Sequence, residues 1–162
     1  MLIAIVADTH LPRGARRLPD ACVDLVRSAA LVLHAGDFTD VSTLGYFEAL
    51  GPPLRAVYGN VDAPDVRSRL PETELVEAAG VRIGMVHDAG PSKGRLARLQ
   101  RAFPGADAVV FGHSHLPVHE EQHVFQIFNP GSPTERRRAV RHTMGLARVE
   151  RGRLSFEHLG LA

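Results

Sequence analysis

The sequence predicts an α/β fold: two packed, mixed β-sheets flanked by helices. Three observations carry that expectation. Short continuous apolar runs, such as residues 2–7, 29–33 and Val109-Val110-Phe111, read as strands buried on both faces. As far as residue 58, such runs alternate with helical patterns, the rhythm of parallel strands joined by crossover helices. Beyond residue 73 most strand-like runs are joined by short turns instead, as in antiparallel pairs. The 162 residues are expected to form a single domain, 1–162, with enough chain to bury a core.

Each element has a local reason. Residues 2–7 form the first strand, followed by a polar loop over 8–19 with Pro12, Gly14 and Pro19. Asp20 opens a helical pattern in which Val23, Val26 and the alanines at 29 and 30 face a core. A second strand covers 30–34. Asp40 then serves as N-cap of a helix with Leu44, Phe47 and Leu50 as its apolar stripe and Gly51 as its stop. After Pro52-Pro53 comes a third strand, 54–58. Thr73–Ala78 and Val81–Val86 pair across a turn at Ala79-Gly80. A basic amphipathic helix over 92–102 carries Leu96, Leu99 and Phe103 on one side and stops at Pro104-Gly105. Strand 107–111 follows. The remainder reads as antiparallel: 117–121 with 124–128, a Pro-rich loop, then 143–150 with 153–159 across Arg151-Gly152.

Composition narrows the function. A hydrophobic content of 44% with 23% charged residues is that of an ordinary globular protein. A formal charge of +1 lacks the basic excess expected of a protein that binds nucleic acid or a membrane surface. Arg136-Arg137-Arg138 with Arg141 reads as a solvated loop. The single cysteine, Cys22, excludes an internal disulfide and a cysteine-rich zinc site, and reads as a small buried hydrophobe. With no leader-like segment before the first strand and no membrane-length apolar run, the expected location is cytoplasmic.

The chemistry lies where the strands stop. The five apolar runs end in Asp8-Thr9-His10, in Gly36-Asp37, in Gly59-Asn60, in His87-Asp88 and in Gly112-His113-Ser114-His115. One His-x-His is a weak signal. Five strand ends delivering metal-capable groups on one side of a sheet make a site. Asp8, His10, Asp37, Asn60, His87, His113 and His115 offer carboxylates, imidazoles and an amide oxygen, but no thiolate. That set suits first-row divalent ions, and seven ligands suit two ions if one carboxylate bridges. Two such ions against two carboxylates leave about +2, which attracts an anionic ester, and they supply hydroxide at neutral pH. Asp62 either orients a ligand or fixes the turn after Asn60. His34 reads as a satisfied polar residue at a strand end. His119, His123, His142 and His158 fall outside every motif, as surface or packing residues, and Arg13 reads as solvent-exposed.

These motifs, in this order, resemble those of the calcineurin-like metallophosphoesterases. The length and Asn129-Pro130-Gly131-Ser132 resemble the small YfcE-like phosphodiesterase branch. The resemblance implies a four-layer α/β/β/α sandwich. It assigns Asp8, His10, Asp37 and His115 to one metal and Asp37, Asn60, His87 and His113 to the other, with Asp37 bridging. Asn60 and His113 are also expected to act in catalysis. The expected cofactors are two divalent metal ions, manganese first, with nickel, iron or zinc also compatible. The implied activity is hydrolysis of a phosphodiester by a metal-bound hydroxide. The expected partner is a small phosphodiester substrate rather than nucleic acid or a membrane, and a homodimer or homotetramer is implied. Val61 stands where many phosphatases of the superfamily carry a histidine, which points to diesters or good leaving groups. Asp88 stands where the family commonly has glycine. Two alternatives stay open: a nuclease of the same superfamily, and a non-catalytic protein-interaction scaffold like the scaffold subunit of the eukaryotic retromer complex.

Overall fold

The computed structural model describes residues 1–162. Its strands form two five-stranded mixed sheets. In the first, the central strand β1 (Leu2–Val6) runs parallel to β2 (Leu31–His34), and β2 runs parallel to β3 (Leu54–Ala56). Helices α1 (Asp20–Ser28) and α2 (Val41–Glu48) make the two crossovers. Asp40 caps α2 as the sequence predicts, its carboxylate accepting from the Thr43 N–H at 3.1 Å. A turn of helix unforeseen in the sequence, α3 (Pro64–Arg67), follows β3.

In the second sheet, β5 (Val81–Val86) pairs antiparallel with β4 (Thr73–Ala78) through the expected turn. Ala79 and Gly80 both take positive φ, the geometry of a two-residue type I′ hairpin. Helix α4 (Arg95–Ala102) connects β5 to the parallel strand β6 (Ala108–Val110). It begins three residues later than the apolar pattern suggests, because Gly94 at φ 68° breaks the helical path. Strands β7 (Val118–Gln122) and β8 (Phe125–Asn129) form the predicted hairpin, shifted by one residue. One pairing differs from the antiparallel reading: β8 lies parallel to β6. Residues 130–135 therefore leave the sheet at the same end as the loop after β6. Strands β9 (His142–Glu150) and β10 (Arg153–Leu161) return to the first sheet, β9 lying antiparallel to β1.

The uniform apolarity of β1 follows from burial on both faces. Ala4 and Val6 face the helix layer with Cys22, Val26, Leu44 and Phe47, whereas Ile3 and Ile5 face the other sheet. The intersheet core adds Leu31 and Leu33 from one sheet and Ile83, Met85, Val110 and Phe128 from the other. Leu99 of α4 packs with Val109, Phe111, Phe125 and Ile127 on the far face. Three apolar layers thus separate four structural layers, α/β/β/α. Gly145 lets the sheets approach, since a Cβ there would lie 2.4 Å from the Phe128 ring. Ala30, expected to face the core, is exposed because α1 has already ended. No helix is long and apolar enough to cross a membrane.

Candidate metal centre

The carboxyl ends of β1, β2, β5 and β6 and the loop after β3 converge at one rim. The first sheet delivers Asp8, His10, Asp37 and Asn60, and the second delivers His87, His113 and His115. All seven candidate ligands meet there. Asp8, His10 and His115 place donor atoms within 4.8 Å of one another, and so do Asp8, Asp37 and His87. His115 Nε2 lies 3.6 Å from Asp8 Oδ1. Asp8 is common to both groups, and Asp37 Oδ2 lies 3.4 Å from His10 Nε2 and 3.1 Å from His87 Nε2, near one histidine of each. Asn60 Oδ1 lies 3.1 Å from His87 Nε2 and 3.0 Å from His113 Nδ1.

The loops that present these groups are unusual in their backbone. Asp8, His10, Asp37, His113 and His115 all have φ between 45° and 72°. Left-handed geometry costs a non-glycine residue on the order of 1 kcal/mol, and it persists where the surroundings impose it. Here the Asp8 N–H donates to Gly36 O and the His10 N–H to Asp37 O, both at 3.0 Å, while the His113 N–H donates to Asp8 Oδ1 at 3.2 Å. At Gly59 a Cβ would lie 2.0 Å from Asp37 Oδ1, so only glycine lets the β3 loop press against this carboxylate. Of the two roles open to Asp62, the structure shows the one that fixes loops: it accepts from Asp37, Thr39 and Gly59 N–H groups at 3.0, 2.7 and 2.7 Å.

Burial shapes the charges. Desolvation pushes the Asp8 carboxyl up to about 7, although His87 and His10 pull the other way. Burial would also raise Asp37, but the imidazoles of His10 and His87 beside it and the hydrogen bond from the Val61 N–H outweigh it and hold this carboxyl low. Burial pushes His115 down to about 4, keeping the imidazole neutral, as a metal ligand must be. On His87 burial works against the charge, but its hydrogen bond to Asp37 and the field of Asp8 raise its pKa. His34 is fully buried and satisfied: its Nδ1 accepts from the Gly36 N–H and its Nε2 faces Thr9 Oγ1, both at 3.2 Å.

The donor set fits divalent cations. Five buried side-chain polar atoms lack a hydrogen-bond partner, and three of them are Asp8 Oδ2, His10 Nε2 and His115 Nε2. Unpartnered buried atoms on carboxylates and imidazoles are groups that a bound cation would satisfy. Carboxylates and imidazoles without thiolate are a first-row divalent set.

Among the other residues singled out, Arg13 is exposed and pairs with Glu135 at 3.7 Å. Arg136 folds back on the carbonyls of Ala139 and Val140, whereas Arg137 acts electrostatically on His115 and Glu135. His119 pairs with Gln126 at the surface, and His158 bonds Asn129 O while stacking on Phe128 as a packing residue. The Asn129–Ser132 segment ties the rim loops to one another. Within it, Ser132 Oγ donates to Asp8 O at 2.8 Å and accepts the Thr134 and Glu135 N–H groups. Glu135, beside both His10 and His115, carries no sequence signal beyond its place after that segment.

The chain is similar to known proteins. Residues 1–152 match the calcineurin-like phosphoesterase superfamily domain. A Methanothermobacter thermautotrophicus protein named "Probable metallophosphoesterase" is 36% identical over 136 residues, 83% of this chain and 78% of its own length. A Methanocaldococcus jannaschii protein named as a phosphodiesterase is 27% identical over 144 residues, 81% of this chain and 83% of its own. The crystal structure of a D62A mutant of Vps29 from Entamoeba histolytica has the same fold, with a TM-score of 0.79 at 22% identity across all of both chains. From the match of family domain and relatives alike, the chain belongs to the calcineurin-like phosphoesterase superfamily.

Proposed function

We propose that the chain is a phosphodiesterase dependent on two divalent metal ions. Asp8, His10, Asp37 and His115 would hold one ion, and Asp37, Asn60, His87 and His113 the other. When bound, such ions lower the pKa of water and offset the negative charge of a phosphoester. The observation that carries this reading is the set of unsatisfied buried atoms on Asp8, His10 and His115, whose donor atoms lie within 4.8 Å of one another in a chain of this superfamily.

The chain's own residues supply the remaining functions. Asp37 Oδ1 is committed to the Val61 N–H at 3.0 Å, which leaves Oδ2 for both ligand groups. Asn60 turns its oxygen to His87 and His113, so its amide N–H₂ is available to orient a phosphate oxygen. Val61 is exposed beside it and carries no proton for a leaving group, which favours diesters with acidic alcohols over alkyl monoesters. The curated relative named as a phosphodiesterase supports the same preference.

Hydrolysis of bis-p-nitrophenyl phosphate and of p-nitrophenyl phosphate by metal-stripped protein, with Mn, Ni, Fe or Zn restored, tests the proposal. The expected result is metal-dependent turnover, faster for the diester, that falls about a hundredfold or more in His115→Ala. Folded protein with no turnover under any of the four ions would overturn it.

A further inference from the structure

The four histidines of the site each have two ring nitrogens, and only one of each faces the cluster. A metal-binding imidazole needs its inner nitrogen bare and therefore its proton on the outer one, which an outer acceptor must hold. For His87 that acceptor is Ala35 O, 2.7 Å from Nδ1. For His115 it is Glu135 O, 2.5 Å from Nδ1. For His10 the group opposite Nδ1 is the Glu135 carboxylate, with Oε2 at 3.7 Å. Side-chain movement of about half an ångström closes that gap to a hydrogen bond. A single residue thus faces the outer edges of two adjacent rings, whose centroids are 5.0 Å apart. Their inner Nε2 atoms are the two orphaned ring nitrogens of the site.

Glu135 is itself held firmly. Its N–H donates to Ser132 Oγ at 2.9 Å, and Ser132 Oγ donates to Asp8 O, so its main chain is referenced to the candidate ligand Asp8. Its carboxylate is gripped by Arg16 Nη1 at 3.2 Å and approached by Arg13 Nη1 at 3.7 Å, and Arg16 also donates to His10 O. A carboxylate hydrogen-bonded to one guanidinium and close to a second stays ionised and acts as an acceptor only.

We propose that Glu135 is the positioning residue of the His10/His115 half of the centre, holding His10 through its carboxylate and His115 through its main-chain carbonyl in the tautomer that leaves Nε2 bare. The inference rests on the metal reading above, and it makes a distinction that a general loop-stabilising role does not. Removing the carboxylate should release His10 and leave His115 as it was, because the carbonyl remains. Glu135→Gln keeps an acceptor oxygen and should preserve both.

Histidine tautomers read from long-range ¹H–¹⁵N spectra of the metal-free protein, in mildly alkaline buffer, test this directly, followed by calorimetric Mn titration of the same samples. In wild type both rings should carry the proton on Nδ1. In Glu135→Ala only His10 should lose that preference, and the tighter Mn site should weaken about 10- to 100-fold, with Glu135→Gln within about threefold of wild type. Unchanged His10 and unchanged Mn affinity in a folded Glu135→Ala would overturn the role of Glu135. A shared shift of His10 and His115 would overturn the division of labour between carboxylate and carbonyl. A wild-type protein that binds no divalent ion would instead contradict the metal reading on which the inference stands.

Discussion

At the scale of single residues, Asp8 and His115 lie side by side under the rim, and burial pushes their pKa values in opposite directions. The Asp8 carboxyl rises to about 7, and the His115 imidazole falls to about 4. Both shifts favour a neutral group in a dry place. A metal ligand set needs His115 neutral, which it already is, but needs Asp8 ionised. On the two-ion reading, an ion that binds between about pH 4 and 7 would displace the proton that burial keeps on Asp8. Mn binding at about pH 6 is therefore expected to release protons, and its calorimetric heat should vary with the ionisation enthalpy of the buffer. In Asp8→Asn the release should fall by about one proton. A heat independent of buffer would contradict the assignment. The same shift has a sign for stability: with its folded pKa above the unfolded value near 3.8, Asp8 opposes folding progressively as pH climbs from about 4 to 7.

At the scale of elements, the loops after β2 and β3 act as one unit because Asp62 accepts three main-chain N–H groups across them. Asp62→Ala leaves those donors without a partner, at about 1–3 kcal/mol each before relaxation and water entry. An overall loss of about 3 kcal/mol is expected in urea unfolding, together with weaker metal binding. A loss below about 1 kcal/mol would contradict the role. How well elements can be read from sequence depends on what makes them. Helix α2 is legible because its cap and its apolar stripe are local in sequence. The β4–β5 hairpin is legible from its two-residue turn. Helix α3 is not, since Pro64–Arg67 is too short to show a 3.6-residue period. The seven candidate ligands are legible because each follows an apolar run. Glu135 is not: its partners His10 and His115 lie far from it in the chain, and a lone acidic residue before Arg136-Arg137-Arg138 reads as part of a solvated loop.

At the scale of the whole molecule, the site joins two halves. The first sheet brings Asp8, His10, Asp37 and Asn60, the second brings His87, His113 and His115, and Phe128 against Gly145 sets how closely the sheets pack. This scale is the least legible from residues alone. That β9 returns beside β1, or that β8 runs parallel to β6, depends on pairings between distant segments that no local pattern encodes. Two packed sheets flanked by helices are expected from the pattern of runs, whereas the four-layer order is expected only through the resemblance to a family. On the proposed reading, ions held at the rim should bind the folded chain alone and stabilise it. At free Mn about 100 times the dissociation constant, the gain is about 2.7 kcal/mol, or roughly 5–10 °C in Tm for a chain of this size. Differential scanning fluorimetry with and without Mn checks this, and an unshifted Tm would contradict it. The most direct test of the central claim is a crystal of the Mn-soaked protein measured at the manganese edge. Two anomalous peaks are predicted, one among Asp8, His10 and His115 and one among Asn60, His87 and His113, with Asp37 between them. A single peak, or none, would contradict the two-ion centre.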